Sequence, residues 1–150
     1  MKKDVLVTVR GMQSIEGSEE PEQVEMVAKG DYYYRNGHHF ICYNEIVEGF
    51  EEPTKNMIKI MKGYVEVQKK GMTNTHMIFE ESKKNVTYYA TPFGNMEMGI
   101  SATKIDVKEE EENLDINIDY ALEINQVHKA DCRISMNIRQ KEGLDFHLAS

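Results

Sequence analysis

From Leu114 to Ile124 the chain alternates between two kinds of residue. Leu114, Ile116, Ile118, Tyr120, Leu122 and Ile124 are apolar, and Asp115, Asn117, Asp119, Ala121 and Glu123 lie between them. A period of two belongs to a β-strand with one buried face and one wetted face. The same period recurs in Val5, Val7 and Val9 and in Ala130, Cys132, Ile134, Met136 and Ile138. Turn signals separate these runs about every ten residues, among them Lys62-Gly63, Lys83 to Asn85 and Val127 to Lys129. Asn36-Gly37 is the strongest of them, because both residues tolerate the positive φ of a tight hairpin turn. The spacing predicts strands over 4–15, 24–35, 38–48, 56–62, 64–70, 75–81, 85–92, 95–107, 114–125 and 130–140. No segment of a dozen residues carries a helical period. Ser18 to Gln23 is consistent with one helical turn capped by Ser18, and equally with a loop through Gly17 and Pro21.

Short strands joined by tight turns predict an all-β fold, a single antiparallel up-and-down β-barrel of about 8–10 strands spanning residues 1–150. A sandwich is the alternative. The short connections and the absence of exposed edges in a closed sheet favour the barrel. One strand changes phase: Met96, Met98, Ile100 and Ala102 are even, Ile105 and Val107 odd. Parity cannot change without an extra residue, so a β-bulge is expected between Ala102 and Ile105.

The Asn36-Gly37 turn fixes a register. Arg35 faces His38, Tyr34 faces His39, and one face collects Met26, Ala28, Gly30, Tyr32 and Tyr34 with His39, Ile41, Tyr43, Glu45 and Val47. That face is the more apolar and is taken as the interior. Glu45 then points inward, where a lone carboxylate is costly and needs a cation, a proton or water. Lys69 shares a face with Val65 and Val67 and is the partner this pattern supplies. The plainer alternative puts both residues at an open barrel end in solvent. Tyr32, Tyr34 and Tyr43, together with Met96 and Met98, read first as core. They are also what lines a cavity for a ligand.

Composition narrows the partners. With 26 acidic and 18 basic residues the net charge is −8, which argues against nucleic acid or an anionic membrane surface as a main partner. The run Glu109 to Glu112 reads as a solvated loop. Cys42 and Cys132 form no CxxC, read as small core hydrophobes, and point to a reducing, cytoplasmic setting. The apolar stretch behind the basic N-terminus is too short for a signal-peptide core. His38-His39 is a poor metal site, since neighbours on a strand face opposite ways. No GxSxG, HExxH or phosphate-binding Gly-rich loop occurs. No metal or cofactor is therefore implied, and nothing in the pattern sets an oligomeric state.

The order of several short motifs carries a resemblance. Val24 to Tyr34, Asn36-Gly37, Tyr43-Asn44-Glu45, Lys69-Lys70-Gly71, Met77-Ile78-Phe79, Thr91 to Met98 and the strand ending Tyr120-Ala121-Leu122 together resemble the YwiB-like family of uncharacterised bacterial proteins. The resemblance covers nearly the whole chain and implies a calycin-like (lipocalin-like) barrel. Tyr43, Glu45, Gly71, Thr91 and Gly94 fall on the family's recurring positions. Lys69 stands where the family often has an arginine, which keeps the charge and loses the planar, two-pronged geometry. Calycin barrels commonly hold small apolar or amphipathic molecules. The expectation is a non-enzymatic barrel that binds a small amphipathic ligand through Tyr34, Tyr43, Glu45, Lys69, Met96 and Met98. Two alternatives stand beside it: an interaction module using the barrel exterior, and an enzyme with Glu45 as general base.

Overall fold

The computed structural model describes residues 2–15, 20–46, 49, 51–71, 74–92 and 94–140. The alternating runs become ten strands: β1 (Lys2–Ile15), β2 (Glu22–Arg35), β3 (His38–Glu45), β4 (Thr54–Met61), β5 (Tyr64–Lys70), β6 (Thr75–Glu80), β7 (Lys83–Thr91), β8 (Gly94–Glu110), β9 (Asn113–Ile124) and β10 (Val127–Gln140). They form one antiparallel sheet in the order β6-β5-β4-β3-β2-β1-β10-β9-β8-β7. Strands adjacent in sequence pair, except β6 and β7, and β1 pairs with β10. β6 and β7 touch but share no ladder. The sheet is therefore an up-and-down barrel, nearly closed, with one seam. The expected helical turn at Ser18 and the inward Val47 lie outside the described residues.

The hairpin register is as expected, with Arg35 opposite His38 and Tyr34 opposite His39. Asn36 and Gly37 take φ of 54° and 81°, the pair of left-handed residues that a twisted two-residue hairpin turn demands. Gly30 has a different reason to be glycine. A Cβ there would lie 2.7 Å from the Cys42 carbonyl oxygen, so β2 and β3 approach more closely at Gly30 than a side chain allows. Two turns differ from expectation. The β9–β10 turn is Asn125–Gln126, both with positive φ, and not Val127 to Lys129. The β6–β7 turn is Glu81–Ser82, with Ser82 at φ 65°, so β7 starts earlier than the Lys83 to Asn85 turn signal suggested.

The phase change in β8 is a bulge at Thr103: Ala102 pairs with Tyr120, and Lys104 with Asp119. The bulge lies against the seam. The Ser82 N–H donates to the Ala102 carbonyl at 2.8 Å, and the Ile105 N–H donates to the Glu81 carboxylate at 2.9 Å. The β6–β7 turn is thus pinned to the bulge where the ladder is absent.

The interior is filled. Phe79, Ile41, Ile58, Ile60, Ile100, Ile116, Ile118, Val7 and Val65 are all less than 2% exposed, each contributing about 1.5–3 kcal/mol by burial. Phe79 of β6 meets Tyr120 of β9 edge to face, with ring centroids 4.9 Å apart. Cys132 belongs to this core, and burial pushes its thiol pKa up. Cys42 does not: it faces outward between Asp31 and Met57. Its strand parity, opposite to Ile41 and Tyr43, overrides the general preference of cysteine for cores.

Replacing Gly37 by Val is expected to lower stability by about 1 kcal/mol or more, because a β-branched residue resists φ of 81°. A lower urea midpoint at unchanged m-value is the measurement that checks it.

Candidate functional site

Antiparallel strands send alternate termini to the same barrel end. The last residues of β3 and β5 and the first of β4, β6 and β8 therefore share one mouth. Five of the six expected site residues belong to that half of the barrel: Tyr43, Glu45, Lys69, Met96 and Met98. Tyr43 and Met98 are buried in the core, at 8% and 7% exposure, while Met96 is only partly covered. Tyr34 does not join them. It pairs with His39 at the opposite end, six residues or about 20 Å along β3 from Glu45, and is 53% exposed. The hairpin register assigned its face correctly, but a shared face says nothing about position along the strand.

Lys69 Nζ lies 3.6 Å from Glu45 Oε1, with side chains 40% and 31% exposed. Both earlier readings hold in part: the two residues pair, and the pair meets solvent at the mouth. An exposed ion pair contributes about 0.2–1 kcal/mol, and 3.6 Å is beyond good hydrogen-bond length. The pair is therefore loose, and both groups can re-aim at little cost.

Between the strands of this pair stands a residue the sequence reading missed. Asn56 of β4 is the ladder partner of Tyr43 on one side and of Lys69 on the other. It is 2% exposed. Its Nδ2 makes one long bond, 3.4 Å, to the Thr54 carbonyl, and its Oδ1 has no partner. Turning the amide over would set Oδ1 against the Thr54 carbonyl, so the orphan is the acceptor. An unsatisfied buried acceptor costs about 1–3 kcal/mol. The signal was present: a two-residue turn at Lys62-Gly63 sets Met61 opposite Tyr64 and hence Asn56 opposite Lys69. Tyr43 completes the row. Burial, and then the nearby Glu45 charge, push its phenol pKa up to about 12.

The other mouth holds a second polar constellation. The Tyr32 hydroxyl lies 2.7 Å from His39 Nδ1, and His39 Nε2 lies 2.6 Å from Glu109 Oε1. An ionised Glu109 can only accept, so Nε2 carries the hydrogen and Nδ1 receives that of Tyr32. Burial, Glu109 and Tyr34 raise the Tyr32 pKa, so the phenol stays a donor. Glu109 is therefore not a residue of a solvated loop: it is near the end of β8 and reaches across to β3. The acidic run concealed this, because the pattern gave no reason to single out one glutamate of four. Beside the relay is a cleft of about 210 Å³ with Val5, Leu114 and Ile138 in its wall.

Tyr43 generates a pH prediction. Its folded pKa is about 12 against an ordinary 10.0. Its contribution to stability is whole below pH 10 and is lost as pH rises through 12, because the unfolded chain releases the proton first. In a native ultraviolet titration Tyr43 is expected to ionise after the exposed tyrosines, and Tyr43→Phe is expected to remove a late phase.

The chain is 25% identical over 124 residues to the "Uncharacterized beta-barrel protein YwiB" of Bacillus subtilis (strain 168), covering 83% of this chain and 86% of that one. The crystal structure of the ywiB protein from Bacillus subtilis superposes with a TM-score of 0.73 at 21% identity, over 90% of this chain and 91% of that one. The model of a domain of unknown function, DUF1934, matches residues 7–136. The chain belongs to the DUF1934 family.

Proposed function

We propose that this protein is a non-enzymatic binding protein that takes a small amphipathic molecule at the Glu45–Lys69 mouth. The observation that carries the reading is Asn56, 2% exposed with an acceptor oxygen left unbonded. A fold seldom keeps such a cost without a use for it, and a ligand N–H or O–H donor would remove it. Tyr43 and Lys69 are the ladder neighbours of Asn56, and Lys69 pairs with Glu45, so a hydroxyl and one charge of each sign belong to the same mouth. The apolar part of the ligand would lie on the partly covered Val67, Met77, Leu122 and Ile124, which pack at the margin of the core. The filled interior limits the ligand to the mouth, with no deep cavity needed. Such a ligand would be held by its polar head and by contact along one apolar side.

Asn56→Leu tests the reading, because it replaces the orphan by an apolar group of similar size. The expected outcome is equal or greater stability together with loss of the bound molecule in native mass spectrometry of the purified protein. Glu45→Gln is expected to lose it as well, at a stability cost below about 1 kcal/mol. If wild-type protein carries no small molecule and shows no thermal shift with amphiphiles of either charge, the proposal fails. A fall in stability for Asn56→Leu would show instead that the amide is structural.

A further inference from the structure

The outer face of β2 to β5 carries a groove of about 420 Å³, whose lining also includes Tyr43 and Asn56. Three lysines line it: Lys29, Lys55 and Lys70. Lys55 and Lys70 are direct cross-strand partners. Like charges placed directly opposite are destabilising, and natural sheets normally set an acid there. Here the other neighbour of Lys55 is Asn44. Lys29 directly precedes Gly30, which pairs with Tyr43, and Asn44 directly follows Tyr43. The same register therefore runs Lys29, Asn44, Lys55 and Lys70 in one row across four strands, at about 5 Å per strand.

Several charged side chains elsewhere on the sheet are paired, while Arg35, Lys59 and Lys108 meet no carboxylate among the described residues. Arg10 meets Glu25, Lys84 meets Glu123, Lys104 meets Asp106 and Arg133 meets Asp119. Lys29, Lys55 and Lys70 make no ion pair or hydrogen bond among the described residues, and neither do the amides of Asn44 and Gln68, which line the same groove. The groove's carboxylates, Asp4 and Asp31, are partners of each other on β1 and β2, on the side away from Lys55 and Lys70. In a chain of net charge −8, three lysines without a carboxylate partner thus line one exposed concavity, with Asp31 two residues from Lys29 at its β1–β2 end.

We propose that this groove binds a small phosphorylated molecule carrying at least two negative charges. One phosphoryl group would bridge Lys55 and Lys70 and cancel their repulsion. A second, one to two strands away, would take Asn44 and Lys29. The compact, adaptable lysine ammonium suits phosphate as a point charge and needs no planar geometry. The lysines of the groove are on the opposite face of the wall from Glu45 and Lys69.

The test is thermal unfolding with inorganic diphosphate at millimolar concentration, ionic strength being held constant with chloride, and with sulfate and a short single-stranded oligonucleotide as parallel arms. Diphosphate is expected to raise the wild-type Tm by about 2 °C or more above chloride and sulfate. The double variant Lys55→Gln, Lys70→Gln is expected to have an equal or higher Tm alone, because the repulsion is gone. It should lose at least tenfold in apparent affinity for diphosphate, while Lys104→Gln on the opposite wall retains it. Diphosphate acting no differently from sulfate, or acting equally on the double variant, would overturn the proposal. So would an oligonucleotide that binds where diphosphate does not, which would make the face a nucleic-acid surface.

Discussion

A ten-stranded barrel has more circumference than a ring of side chains can fill. Either a cavity remains or opposite walls come together. Here the middle is filled: Phe79 of β6 packs on Tyr120 of β9, three strands away across the seam, and the aliphatic side chains around them are buried. Everything else follows from this contact. Once the middle is apolar and filled, polar chemistry has only three places to go: the two mouths and the outer face. The structure uses all three. The Glu45–Lys69 pair with Asn56 occupies one mouth, the Tyr32–His39–Glu109 relay the other, and the lysine row the outer wall.

The two mouths are built on different energetics. The relay joins β3 to β8, which are five places apart in the strand order and hence on opposite walls. It is short, partly buried and satisfied at both histidine nitrogens. Satisfied networks of this kind fix one arrangement of the groups that make them. The Glu45–Lys69 mouth is the reverse: its ion pair is long and wet, and its buried amide is underused. One end of the barrel is therefore tied across by satisfied hydrogen bonds, while the other is left with unspent hydrogen-bonding capacity. That asymmetry is the physical ground for placing a ligand at the second end.

The architecture was legible because period-two alternation and tight-turn chemistry are local. The register of β2 with β3 followed from two residues, Asn36 and Gly37, and the bulge at Thr103 from a change of parity between Ala102 and Ile105. What resisted reading depends on contacts remote in sequence. Glu109 and His39 are 70 residues apart, and nothing local distinguishes Glu109 from the glutamates after it. Tyr34 was assigned its face from the pleat, but the pleat does not give a coordinate along the barrel axis. Asn56 was within reach of the same hairpin arithmetic that placed Glu45. A single asparagine beside Ile58 and Ile60 does not break the apolar alternation, so the pattern alone does not single it out.

The seam between β6 and β7 has a consequence for how the barrel assembles. Strands adjacent in sequence, and cheapest to join, are left without a ladder, whereas β1 and β10 pair at eleven positions. The longest-range closure is thus among the most extensive. While the chain is being synthesised, β1 to β6 can zip together one hairpin at a time, but β1 keeps an unpaired edge until β10 emerges. Joining residues this far apart costs loop entropy before any contact is gained, and topologies dominated by such pairings fold slowly. An exposed strand edge meanwhile is a template for another chain. Val5, Val7 and Val9 lie on that waiting strand. The placement of the seam thus exchanges a weak joint in the finished barrel for a vulnerable interval while it is being made.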